Sequence, residues 1–165
     1  MKDLELKIVD TAFKTLIDPY QFDDLERVLL WSFPYRVILP IDHPLALDDE
    51  VDLAELAGET LVTPPSRGGS AGGDQVLAVC REVAFTPATV REVPEIADVE
   101  AILGLVACRL GFGILPAPYE SFSLPTIVFK PIRGSRRRVQ ISAFWRRGET
   151  NPLVGNFLEI AHATP

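Results

Sequence analysis

A chain of 165 residues can bury roughly 70% of the surface its unfolded form exposes, as one compact domain or as two small lobes. Hydrophobic residues at 47% and charged residues at 24% are the balance of a globular protein and exclude a disordered one. A net charge of -7 opposes a phosphate backbone, so the chain is not expected to bind nucleic acid by itself.

The first ten residues alternate charge with apolar side chains and never build the apolar run of a signal peptide. No window approaches the roughly 20 apolar residues of a membrane span, so no membrane partner is expected and the cytoplasm is the expected location. Leu6, Ile8 and Val9 lead through Thr11-Ala12-Phe13 into a strand closed by Ile17-Asp18-Pro19. Arg27 to Trp31 and Tyr35 to Leu39 read as two further strands separated by Ser32-Phe33-Pro34, the second closed by Pro40 and Pro44. Val51 to Ala57 predicts a short helix, with Gly58 suited to a left-handed C-terminal position. Thr60 to Thr63 is a strand cut off by Pro64-Pro65, and Ser66 to Gly72 has no apolar period and reads as loop.

From Asp74 the pattern turns helical, with Val76, Leu77, Cys80 and Val83 on one face. Thr89 to Val93 alternates like a half-buried strand, and Pro94-Glu95 opens a second helix. Its stripe is Ile96, Val99, Ile102, Leu103, Val106 and Leu110, ended by Gly111. Phe112 to Leu115 is a buried strand before Pro116. Thr126 to Phe129 and Val139 to Trp145 read as paired strands around a basic, solvated turn carrying Arg133, Arg136, Arg137 and Arg138, and Pro152 to Ala163 reads as a final helix. Strands alternating with helices predict an α/β domain with a largely parallel sheet. Cys80 and Cys108 both lie in apolar helical patterns and are expected to be buried, inert thiols.

Chemistry concentrates between Thr63 and Asp74, where a strand end meets a helix start and backbone N–H groups can hold a carboxylate or phosphate. Ser66 and Ser70 add hydroxyl donors, and Arg67 offers a bidentate fork. The glycines, Gly68 among them, serve turn geometry equally well in a plain surface loop. Gly68-Gly69-Ser70-Ala71-Gly72 also fits the G-x-S-x-G nucleophile elbow of hydrolases, with only His43 and His162 available as base. Four residues separate that pattern from the strand, where an elbow needs its serine at the turn itself. The two Cys and two His never reach zinc-ligand spacing, and no nucleotide phosphate loop occurs, so neither a metal, a cofactor nor an enzymatic activity is expected.

Several segments follow one another in a recognisable order. Val37-Ile38-Leu39-Pro40-Ile41-Asp42-His43-Pro44-Leu45-Ala46 resembles the "ALPADHPLA" segment of LysR-type effector domains, and Val51 to Glu59 resembles their "VSLADLAGE". Ile102 to Pro116 resembles "ILALVAAGLGVALLP", and Trp145-Arg146-Arg147 with Pro152-Leu153 and Phe157-Leu158 resembles the "WRR…SPLLAAFLDL" ending. The chain is thereby identified as a member of the LysR-type transcriptional regulators, matching their effector-binding domain.

The resemblance implies an α/β, type 2 periplasmic-binding-protein-like fold of two lobes joined by crossing strands, with an inducer held between them. Residues 37–118 would form the second lobe, and residues 1–36 with 119–165 a partial first lobe. Val9 to Phe13 would match "LDLAF", so the family's opening strand, helix, second strand and most of a second helix, and its winged helix-turn-helix and linker helix, would have no counterpart here. The inducer would be a small, carboxylate-bearing organic molecule. Its candidate contacts are Thr63, Pro64, Ser66, Arg67, Gly68 and Ser70, then Ile96 and Asp98 at the second helix start, then Thr15, Leu39 and Pro40 by position. Glu95 and Asp98 suit helix capping equally well. A different outcome is an interaction fragment whose uncovered first lobe pairs with itself, as a homo-oligomer, or with an intact regulator.

Overall fold

In a computed structural model of the chain, residues 11–16, 24–66, 72–93 and 98–163 are described, with the backbone alone for 13–16, 98, 162 and 163. Two compact units emerge. One comprises residues 1–32 and 139–165, the other residues 33–138. The second unit therefore runs to Arg138 rather than ending at 118, because the strand after Pro118 pairs inside it.

In the first unit, β1 (Thr11–Leu16) pairs antiparallel with β7 (Arg138–Arg146), Thr11 opposite Trp145 and Leu16 opposite Gln140. β7 also borders β2 (Leu25–Pro40). Trp145 Nε1 donates to Glu26 Oε2 at 2.8 Å, and Arg147 N–H to the Asp24 carbonyl at 2.9 Å. The final helix, α3 (Pro152–Ala163), buries Val154 and leaves Leu153, Phe157 and Ile160 exposed at i, i+4 and i+7.

The second unit is built on the far half of β2. Tyr35 to Ile38 pairs antiparallel with β5 (Phe112–Pro116), and Arg36 to Pro40 pairs antiparallel with β6 (Ile127–Pro131). β3 (Thr60–Thr63) lies parallel to both β5 and β4 (Thr89–Glu92). The order is thus β6-β2-β5-β3-β4, with β2 running against the rest. α1 (Gly72–Glu82) and α2 (Asp98–Ala107) pack against this sheet. Ile38, Val62, Ile102, Leu103, Val106, Leu115 and Phe129 form the core between α2 and the sheet. Full burial of each such side chain contributes about 1.5–3 kcal/mol.

Several expectations are corrected. The two strands read across Ser32-Phe33-Pro34 are one continuous β2, and Pro34 falls just before the first residue paired with β5, where its missing N–H breaks no bond of that ladder. Thr126–Phe129 and Val139–Trp145 are not partners: β6 pairs with β2 and β7 with β1, so the sheet is mixed rather than largely parallel. The basic segment between them is instead tied to α1 and to Glu50-Val51. Glu82 accepts from Ser135 Oγ at 2.8 Å and from the N–H groups of Arg136 and Arg137, while Arg133 pairs with Glu50. The helix expected over Val51–Ala57 is a four-residue 3-10 turn, Leu53–Leu56, capped by Asp52, and Gly58 has no positive φ.

Each helix is closed by a non-glycine residue in the left-handed region, although the sequence points to Gly111 as the end of the second. Ala84 at φ 56° follows α1, where Phe85 N–H reaches the Cys80 carbonyl at 2.9 Å. Arg109 at φ 58° follows α2, where Leu110 N–H reaches the Leu105 carbonyl at 3.0 Å. Leu110 is consequently exposed, not part of the stripe. β4 is exposed along its whole length because it is the sheet edge, and only Val93 after it is buried.

Cys80 is buried on α1 as expected, and burial pushes its thiol up to about 11, but Cys108 is exposed. With Ellman's reagent at pH 8, the native protein should release one equivalent quickly and the second only on unfolding. Two thiols reacting at one rate would contradict the buried position of Cys80.

Candidate ligand-binding site

β3 delivers Thr63, wholly buried, to the carboxyl end of the second unit's sheet, and Pro64-Pro65 then stop the strand. The parallel register sets Thr63 beside Glu92 at the end of β4. Two hydrogen bonds lock that corner: Val93 N–H donates to the Thr63 carbonyl at 3.0 Å, and Ser66 N–H donates to Glu92 Oε1 at 3.0 Å. α1 starts directly over this loop. A Cβ on Gly73 would overlap the Pro64 carbonyl oxygen and lie 2.7 Å from Ser66 Oγ, so only glycine lets the helix sit so close. Asp74 occupies the first turn, where a carboxylate suits the helix dipole.

This junction is short of hydrogen bonds. Among the described residues, the buried side-chain polar atoms without a partner are Thr63 Oγ1, Ser66 Oγ, Gln75 Oε1 and Arg137 Nε. Three of those four belong to the junction. Arg137 lies near Tyr35, whose hydroxyl burial pushes above its ordinary value while the Arg137 charge pulls it partly back.

Of the residues expected at the site, the structure therefore brings Thr63, Pro64 and Ser66 together. Arg67, Gly68, Ser70 and Ile96 lie outside the described residues, as do the side chains of Asp98, which starts α2, and of Thr15, whose backbone pairs with Ile141. Leu39 and Pro40 are not part of this corner. β2 runs antiparallel to β5, which is parallel to β3, so the end of β2 falls beside the start of β3 instead of its end. Leu39 is a fully buried core residue, and Pro40 lines a separate depression with His43, Glu59 and Arg109. What the sequence missed at the site's end of the sheet is Tyr35, opposite Pro116.

His43 belongs to that separate depression too. Its Nδ1 accepts the Leu45 N–H at 3.1 Å and its Nε2 meets Glu59 Oε1 at 2.8 Å, which fixes it as a helix cap. Next to it Arg109 pairs with Asp42, whose carboxyl the guanidinium holds below the usual range. His43 is thus held beside Glu59, just before the start of β3, and Ser70 lies outside the described residues. Among the described residues no group of three or more His, Cys, Asp or Glu side chains could hold a metal ion.

Comparison with known proteins adds the family context. The model of the LysR substrate binding domain matches residues 4–164. The chain is 32% identical over 136 residues to the uncharacterized HTH-type transcriptional regulator YnfL of Escherichia coli (strain K12), covering 82% of this chain and 45% of that protein. It is 30% identical over 147 residues to the Hca operon transcriptional activator HcaR of the same organism, covering 86% and 47%. The chain thus spans about half the length of the curated relatives it matches. Among solved structures, the BenM effector binding domain with its effector benzoate aligns at a TM-score of 0.85 and 24% identity, covering 98% of this chain and 72% of that one. CbnR, a LysR family transcriptional regulator, aligns at 0.76 and 22%, covering 97% and 54%. These structures share the fold.

Proposed function

The chain belongs to the LysR substrate binding domain family, and from that premise we propose that it is the inducer-sensing part of a cytoplasmic transcriptional regulator, a binding module and not an enzyme. One observation carries the reading: the buried junction of Thr63, Pro64 and Ser66 with the start of α1, at the carboxyl ends of parallel strands, where open α/β sheets hold their ligands. The proposed ligand is a small organic acid whose carboxylate takes the Arg67 fork. Its binding biases a conformational equilibrium that a complete regulator relays to DNA.

Thermal-shift titration with benzoate and a panel of aromatic and aliphatic acids tests this. A ligand at about a hundred times its Kd stabilises by about 2.7 kcal/mol, which for a chain of this size raises the melting temperature by about 5–10 °C. Arg67→Ala should abolish the rise. A flat response across the panel, or an unchanged one in Arg67→Ala, would sink the proposal.

A second reading, pairing through the first unit, is favoured by α3, where Leu153 is 71% and Ile160 67% exposed on the same face as Phe157. Light scattering decides it: a monodisperse monomer at high concentration argues against pairing, and a dimer that Leu153→Glu dissociates argues for it.

A further inference from the structure

The unpartnered atoms at the junction say what kind of group the ligand presents there, an inference that rests on the inducer reading above. Thr63 is 0% exposed and Gln75 8%, so neither side chain reaches bulk water. Buried polar groups in native proteins are nearly always paired, and leaving them unmade is unfavourable. Thr63 Oγ1, Ser66 Oγ and Gln75 Oε1 are unpaired within one strand-to-helix junction, which marks a place where hydrogen bonds are completed by something other than the chain.

Their chemistry has a direction. The amide oxygen of Gln75 only accepts, and the hydroxyls of Thr63 and Ser66 accept or donate. Among the described residues of the corner, Glu92 is a charged acceptor as well, its Oε1 already taking the Ser66 N–H. A second carboxylate seated here would meet Glu92, whereas an O–H or N–H would satisfy Gln75 without repulsion. We propose that the ligand of this site carries a hydroxyl or amine donor in addition to its acid group, and that Thr63, Ser66 and Gln75 read that donor.

The test is a set of probe acids differing by one hydroxyl, benzoate against 3-hydroxybenzoate and 4-hydroxybenzoate, titrated into the whole chain by calorimetry. At least one hydroxylated probe should bind about tenfold or more tighter than benzoate, the ratio of one added buried hydrogen bond. Gln75→Met should remove that preference while leaving benzoate affinity within about twofold. The same variant, measured without ligand, should melt higher than the parent, because an unpaired buried acceptor has been replaced by an apolar group of similar volume. Thr63→Val, close in shape, should reduce the preference independently.

The outcomes separate the two levels. Benzoate and both hydroxybenzoates binding within twofold of one another would overturn the donor-reading role while leaving inducer binding in place. A hydroxyl preference that survives both Gln75→Met and Thr63→Val would overturn it too. No binding by any acid would overturn both.

Discussion

Gly111→Ala is expected to lower the melting temperature by about 6–12 °C. Gly111 adopts φ +142°, a region an L side chain rarely enters, and its missing Cβ is where the Thr60 backbone passes. An added methyl would overlap the Thr60 carbonyl oxygen and stand 3.0 Å from its carbon. Backbone cannot swing away like the end of a lysine, so the contact is relieved only by separating the start of β3 from the start of β5. Those strands pair through Leu61 opposite Phe112, both fully buried. Backbone strain and overpacking together amount to about 3 kcal/mol, and each kcal/mol is about 2–4 °C for a chain of this length. A melt within 2 °C of the parent would show that Gly111 is not a point of contact. Gly104→Ala, on open helix surface, is the matched control and should leave the melting temperature unchanged or slightly raised.

The helices and the short strands were legible in the sequence because their signals are local. Val76 and Cys80 on α1, and Ile102, Leu103 and Val106 on α2, are buried where the 3.6-residue period puts them, and Thr60–Thr63 and Phe112–Leu115 are apolar runs bounded by proline or glycine. What the sequence does not carry is pairing and direction. Val139–Trp145 follows Thr126–Phe129 closely, and nothing local tells that the first joins β1 and the second joins β2. Pro34 looks like a strand break because a proline inside a ladder removes a donor, and its harmlessness depends on a register that only the assembled sheet defines.

The site divides in the same way. Thr63, Pro64 and Ser66 are legible as one corner because a strand end followed by prolines and a helix start is a sequence pattern with a physical meaning. That Leu39 and Pro40 stand at the opposite end of the sheet from this corner is not legible, because the orientation of β2 relative to β3 is a long-range property. Tyr35 left no signal, being one more apolar residue in a β-rich run. Gln75 leaves only the trace of a polar residue one position before Val76 on the buried face of α1.

Gly73→Ala should abolish the thermal response to acids that raise the parent's melting temperature, and lower the ligand-free melting temperature by about 2–8 °C. The methyl would overlap the Pro64 carbonyl oxygen and approach the Pro65 carbonyl carbon to 2.8 Å and Ser66 Oγ to 2.7 Å. α1 has then to lift off the loop, and the bond from Ser66 N–H to Glu92 is the tie holding that loop's other side. The helix itself gains from alanine by up to about 1 kcal/mol, which offsets part of an overpacking penalty of about 1–3 kcal/mol and keeps the stability loss moderate. Ligand response has no such compensation, because a displacement on the order of 1 Å moves the start of α1 off the Pro64–Ser66 segment it closes over, and the proposed ligand seat with it. Gly72→Ala meets only the Pro64 ring, at 3.0 and 3.2 Å, and should fall between the parent and Gly73→Ala in both readouts. A Gly73→Ala protein that melts lower yet keeps the full ligand shift would place the binding site elsewhere on the domain.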